Sequence, residues 1–286
     1  MLFSQLAPMG YAINCILLVD GTRVNVADLI GNSIDGFVVR EGHHVLKIPK
    51  LYGCLQSDGT IEADSDNDFQ SGRLDTEKQV YKRLHGTLGI AKCIECTRNG
   101  ILLKYYPHGA LSEYMACNQP PSMSQRWKWI LQATESIAKC HERGVLVFDI
   151  ALRNFLLADD FSLRLIDFSN SPLIPTTEDT TLAEVDGSTV KLDLLHLANV
   201  IYSIWTWREF TVDCAMESEW PGTELLPGLE DLEVAQVVRK CWERKYTSIG
   251  ELVSEVRRCA QKSSLAGSSE CDAPSLMSGG SCDQSV

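Results

Sequence analysis

Two carboxylates and an amide emerge from apolar runs in the middle of the chain. Asp149 follows Leu146-Val147-Phe148, Asn154 comes shortly after it, and Asp167 follows Leu165-Ile166. A carboxylate at the end of an apolar strand has lost hydration, and a divalent cation or a substrate hydroxyl can compensate for that loss. Either partner makes this stretch a site.

The elements that must position these groups are readable from periodicity. From Val24 to Ile48, short β-branched runs are broken by Gly31, Gly36 and Gly42, which predicts strands joined by tight turns. Gln56–Thr76 carries Asp58, Glu62, Asp64, Asp66, Asp68 and Asp75 with few large apolar residues and reads as a solvated loop. Leu74, Val80, Tyr81 and Leu84 then repeat at helical spacing, and Ile101–Tyr105 is strand-like. Helices are predicted over Ser124–Arg143, Leu192–Trp207, Leu232–Trp242 and Ile249–Cys259. From Lys262 to Val286 serine and glycine dominate, so this tail is expected to be disordered.

Composition narrows the function. Against 38 acidic residues stand 26 basic ones, a net charge of -12, which disfavours nucleic-acid backbones and anionic membranes as partners. Ala12–Val19 is interrupted by Asn14 and has no basic leader, so neither a signal peptide nor a membrane span is expected. The chain reads as cytoplasmic, with the nucleus left open. The 11 cysteines are odd in number and fit reduced thiols better than a disulfide framework. Cys93 and Cys96 form the sole Cys-x-x-Cys, without a second pair or a nearby histidine at ligand spacing; buried free cysteines are favoured over a zinc or redox role.

The run Asp149-Ile150-Ala151-Leu152-Arg153-Asn154, followed by Asp167-Phe168-Ser169, resembles the protein-kinase catalytic loop and its metal-binding D-F-G. Upstream, Gly31-Asn32-Ser33-Ile34-Asp35-Gly36-Phe37-Val38 is similar to the family's glycine-rich loop, and Val45-Leu46-Lys47 to V-A-I-K. The resemblance covers roughly residues 24–260. It implies an α+β, two-lobed fold: an extension over 1–23 with room for an extra strand, a small antiparallel β-sheet lobe with one helix over 24–104, a larger helical lobe over 105–261, and the tail over 262–286. It also implies that Lys47 contacts nucleotide phosphates and pairs with an acid on the following helix. Glu77 fits, because Leu74, Val80, Tyr81 and Leu84 share its helical face and a carboxylate on an apolar stripe needs a cation.

By the same resemblance, ATP would contact Gly31, Ser33, Gly36 and Val38, with Leu103, Lys104 and Tyr105 at the hinge. Leu103 takes the gatekeeper position. Asn154 and Asp167 would hold Mg2+ and contact the nucleotide, and Asp149 would act on the acceptor. Asp193, on an apolar helical stripe, would anchor the catalytic loop by accepting backbone hydrogen bonds, and His141 is read as structural. The departures are Val147 and Phe148 where the family has His and Arg, Ser33 and Ser169 where it has glycine, and a short segment before Asp193 without A-P-E. The implied function is an ATP-dependent protein kinase acting on a protein hydroxyl, serine or threonine favoured and tyrosine kept open by Ala151 and Arg153. A pseudokinase scaffold and a small-molecule kinase are the alternatives.

Overall fold

The computed structural model describes residues 15–269 apart from positions 34 and 176. The fold is α+β, with antiparallel sheets early in the chain and helices later. Strands β1 (Cys15–Leu17), β2 (Arg23–Val24), β3 (Leu29–Asn32), β4 (Gly36–Glu41), β5 (His44–Pro49), β6 (Leu51–Leu55) and β7 (Ile61–Ala63) precede helices α1 (Asn67–Ser71) and α2 (Asp75–Arg83). Together with β8 (Cys93–Cys96) and β9 (Ile101–Lys104) they form two sheets, ordered β3-β4-β5-β9-β8 and β2-β1-β6-β7.

Strand alternation decides what each face presents. Phe37, Val39, Leu46 and Ile48 pack with Ile16 and Val24 between the two sheets. The intervening residues face the other way, where Val45 joins Leu74, Val80 and Leu103 in the main core. Lys47 shares this second face. Gly42, with φ of +60°, allows the two-residue turn between paired Glu41 and His44. At Gly36 the constraint is space, since a Cβ would lie 2.5 Å from the Ile48 carbonyl oxygen. Gly36→Ala is therefore expected to cost about 1–3 kcal/mol by forcing β4 away from β5. Urea denaturation checks this, and an unchanged midpoint would refute the close approach.

The early part departs from the expected single sheet with one helix: it has a second sheet and two helices. The stretch read as a solvated loop contains β7 and α1. Local polar bonds, not apolar burial, build them. Asp58 Oδ1 accepts the Thr60 amide at 2.9 Å; Asn67 accepts from the Tyr52 amide at 2.9 Å and donates to its carbonyl at 2.7 Å. All of β7 is exposed, so hydrophobic periodicity carries no trace of it.

The later part contains α3 (Leu111–Cys117), α4 (Met123–Glu142), the hairpin β10 (Phe155–Leu157) and β11 (Leu163–Leu165), the small hairpin β12 (Glu184–Val185) and β13 (Ser188–Thr189), then α5 (Val190–Thr206), α6 (Ala235–Trp242) and α7 (Ile249–Ser269). Hydroxyl caps start the two long central helices: Ser122 accepts the Gln125 amide before α4, and Thr189 the Leu192 amide before α5. Helix α7 packs along α4, with Arg257 and Glu135 paired at 2.7 Å. It runs past Cys259 to Ser269, so the start of the stretch expected to be disordered is helical. Good helix formers such as Ala260, Gln261 and Lys262, with no proline, sustain it there. Residues 1–14 and 270–286, including most of the expected tail, lie outside the described residues. One core runs from α2 and β9 through α4, α5 and α7, an arrangement compatible with two lobes. No helix among the described residues is long and apolar enough to cross a membrane.

Candidate active site

Strand β5 delivers Lys47 to the face shared with α2. Its Nζ lies 2.7 Å from Glu77 Oε2 and 2.8 Å from Asp167 Oδ1, with Lys47 5% and Glu77 0% exposed. Burial opposes the ammonium charge, but the two carboxylates outweigh it and raise the Lys47 pKa. Burial raises Glu77 despite Lys47, whereas Asp167, only partly buried, is held below the usual carboxylate range by Lys47 and Ser169. Glu77 thus depends most on its cation. Its other oxygen, Oε1, accepts the Phe168 amide at 3.3 Å, and the Phe168 ring meets Tyr81 edge-on at 5.2 Å. These contacts fasten α2 to the segment after β11.

The loop bearing Asp149 is held from α5. Asp193, 1% exposed, accepts the Val147 amide on Oδ2 at 2.8 Å and the Phe148 amide on Oδ1 at 2.7 Å. His141 Nε2 donates to the same Oδ2 at 2.7 Å. The Phe148 carbonyl can only accept, so His196 Nδ1 carries the proton it donates there at 2.7 Å. Phe148 has φ of +64°, and Asp149 N donates back to Val147 O at 2.8 Å, a tight three-residue turn. Asp193 therefore makes the loop contacts that the family resemblance implies for it.

Hairpin register brings Asn154 beside the strand that ends at Asp167. Phe155 pairs with Leu165, so Asn154 falls opposite Ile166, whose amide donates to the Asn154 carbonyl at 2.9 Å. Asn154 Nδ2 donates to Asp149 O at 2.9 Å and Oδ2 at 3.1 Å, while Arg153 Nη2 donates to Asp149 Oδ1 at 2.6 Å. Asp167, at φ of +62°, accepts the Ser169 hydroxyl on Oδ1 at 2.7 Å besides Lys47.

A cleft of about 540 Å³ collects most of the sequence-derived residues, a size suited to a cofactor or drug-sized ligand. Gly31, Ser33 and Val38 line its β side, Leu103, Lys104 and Tyr105 its edge, and Lys47, Glu77 and Asp167 its inner end. Three expected residues do not line it. Gly36 lies against Ile48 in the hairpin. Asp149 lines a separate hollow of about 40 Å³ beside His196, and Asn154 is buried between the loops. The reason is the tight turn at Phe148, which aims Asp149 toward α5. Ser33 also behaves differently from a side chain set over phosphates: its hydroxyl bonds the Gly36 amide and carbonyl, each at 3.1 Å.

Arg153 lines both cavities and so stands between Asp149 and the cleft. Sequence reasoning gave it no site role, although its spacing of four residues from an acid is the signal for a charge pair. Leu156 belongs to an apolar run with no site signal in the sequence; with Phe155 and Leu157 buried, alternation turns Leu156 to the cleft. Among the described residues no group of three or more His, Cys, Asp or Glu could hold a metal ion. A metal here would rest on Asp167 and Asn154 together with ligand oxygens, as magnesium commonly does.

No family model matches the chain. It is 24% identical over 189 residues to the melanoma receptor tyrosine-protein kinase of Xiphophorus maculatus, across 56% of this chain and 16% of that protein. The chain thus spans a small part of that relative's length. The similarity is distant and partial, and it points to kinase relatedness.

Proposed function

We propose that the chain is a divergent two-lobed protein kinase that binds Mg-ATP in the 540 Å³ cleft and transfers the γ-phosphoryl group to a protein hydroxyl. The observation that carries this reading is Lys47 held between Glu77 and Asp167 at 2.7 and 2.8 Å at the inner end of that cleft. In this reading Lys47 binds the α- and β-phosphates, Glu77 positions it, and Leu103, Lys104 and Tyr105 border the adenine. Asp167 and Asn154 would hold the metal, which supplies neutralising charge between the phosphate oxygens. Asp167 lines the cleft, is kept ionised and is a hard donor, whereas Asn154 would supply its amide oxygen only after turning from Asp149 toward the cleft. Asp149 accepts the acceptor's proton, after Arg153 releases Oδ1. Serine and threonine are the expected acceptors; Ala151 and Arg153 resemble the tyrosine-kinase form, so both classes belong in the assay.

A second reading, a nucleotide-binding scaffold, draws on one observation: both Asp149 oxygens are engaged and the residue lines a hollow apart from the cleft. Phosphotransfer to generic seryl and tyrosyl substrates, compared between wild type and Asp149→Asn, separates the two. The kinase reading expects a loss of about 10²–10⁴-fold, the span of general-base catalysis. Turnover that survives unchanged would remove Asp149 from the mechanism, and nucleotide binding without any transfer would establish the scaffold.

A further inference from the structure

We propose that Cys93 and Cys96 form a redox-active thiol pair that closes to an intramolecular disulfide. In an unbroken strand, residues three apart point to opposite faces. Here the register breaks: Cys93 pairs with Leu103 and Glu95 with Leu102, so Ile94 is an extra, bulged residue. The bulge turns both cysteines to one side and brings their Sγ atoms to 3.7 Å. Closure to an ordinary bond of about 2.05 Å requires an approach of roughly 1.6 Å, which falls on a bulged strand that need not preserve a regular ladder.

The surroundings favour redox chemistry over metal binding. Among the described residues no third or fourth ligand completes a metal site around the pair. Cys93 lines a cavity of about 290 Å³ with the turn after α2, room for a hydroperoxide or a small disulfide. Both cysteines are half-buried and unbridged. Burial and the neighbouring sulfur push the Cys93 thiol up to about 12, while Cys93 is the member that lines the cavity, so either sulfur can be oxidised first and the other resolves it.

With hydrogen peroxide as oxidant, one thiolate takes one oxygen and becomes a sulfenic acid, releasing hydroxide that collects that thiol's proton as water. The other cysteine's sulfur then displaces the sulfenic hydroxyl, which leaves as a second water with that cysteine's proton. Two thiols and one peroxide give one disulfide and two waters. A dithiol reductant reverses it. Closure also withdraws the Cys96 thiol from the Lys78 carbonyl, 3.8 Å away on α2 and next to Glu77. The pair therefore sits where its oxidation state reaches the helix that holds Lys47, although disulfide formation itself does not depend on the kinase reading.

The test uses the full chain treated with hydrogen peroxide, quenched in denaturant with iodoacetamide, and digested with trypsin. Lys92 and Arg98 frame both cysteines in one short peptide. The expected result is an unalkylated peptide lighter by two hydrogens than its reduced form, which takes two alkyl groups after dithiothreitol. In Cys96→Ser the remaining Cys93 has no partner, so the peptide lighter by two hydrogens is expected to disappear. A doubly alkylated peptide from oxidised wild type, or sulfinic acid in place of the disulfide, would overturn the proposal.

Discussion

On the kinase reading, Lys47→Met is expected to cut nucleotide-dependent turnover by orders of magnitude and to destabilise the fold at once. The ammonium is the shared partner of two carboxylates, one fully buried and one partly so. Removing one member of a buried ion-pair network leaves uncompensated charge and costs about 3–5 kcal/mol. Turnover should fall by roughly 10²–10³-fold or more, the usual loss when one charge-stabilising donor is deleted. Adding Glu77→Gln to Lys47→Met should recover part of the stability and none of the activity, since it removes a buried charge without restoring a cation.

The pH dependence follows from the direction of each shift. Asp167 is depressed in the folded protein, so its contribution is present above its unfolded pKa and is lost as pH falls through the folded value. Lys47 is raised, so its contribution is complete below its unfolded pKa and is lost as pH rises through the folded one. Glu77 is raised by burial, and without Lys47 only the Phe168 amide opposes that; folding then binds protons, and stability falls as pH rises. The variant should therefore lose more stability at neutral pH than in mildly acid buffer. Urea denaturation at both pH values checks this, and an equal loss would show that Lys47 is not the counter-charge.

What the sequence reveals here depends on whether a residue's role is local. The demand of Glu77 for a cation is legible from its neighbours Leu74, Val80 and Tyr81 on one helical face, all buried as alternation and helical spacing require. Lys47 is legible through the resemblance of Val45-Leu46-Lys47 to V-A-I-K and not through alternation, since β5 is buried on both faces from Val45 to Pro49. Three features are not, because each depends on a partner distant in sequence or on a backbone angle. The turn at Phe148 that directs Asp149 away from the cleft rests on φ of +64°, held from α5. The second sheet pairs a short, wholly buried β1 with β2 and β6 and adds an exposed β7, so no alternating hydrophobic pattern marks it. The approach of Cys93 to Cys96 arises from a bulge defined only by pairing with β9, so a Cys-x-x-Cys read as bland becomes a sulfur contact.

Asp193→Ala should be the most damaging single change outside the cleft. Its carboxylate accepts the amides of Val147 and Phe148 and the Nε2 proton of His141, all within 2.8 Å. Alanine leaves those donors buried without acceptors, and breaking such a charged network costs about 3–5 kcal/mol. Phe148 adds to the loss, because a left-handed conformation at a bulky residue costs of order 1–3 kcal/mol and persists only where neighbours enforce it. With Asp193 gone, the turn keeps the His196 bond to the Phe148 carbonyl and the Ser171 bond to the Val147 carbonyl but loses the acceptor of both its amides, and Asp149 is less firmly directed. Asp193→Asn separates charge from geometry: its amide oxygen keeps one acceptor, while its NH2 faces a donor. Denaturation midpoints should rank wild type above Asn and Asn above Ala, with turnover in the same order at a temperature where all three are folded. An Ala variant as stable as the Asn variant would mean that the loop is held by packing of Val147, Leu146 and Ile150, and not by the buried carboxylate.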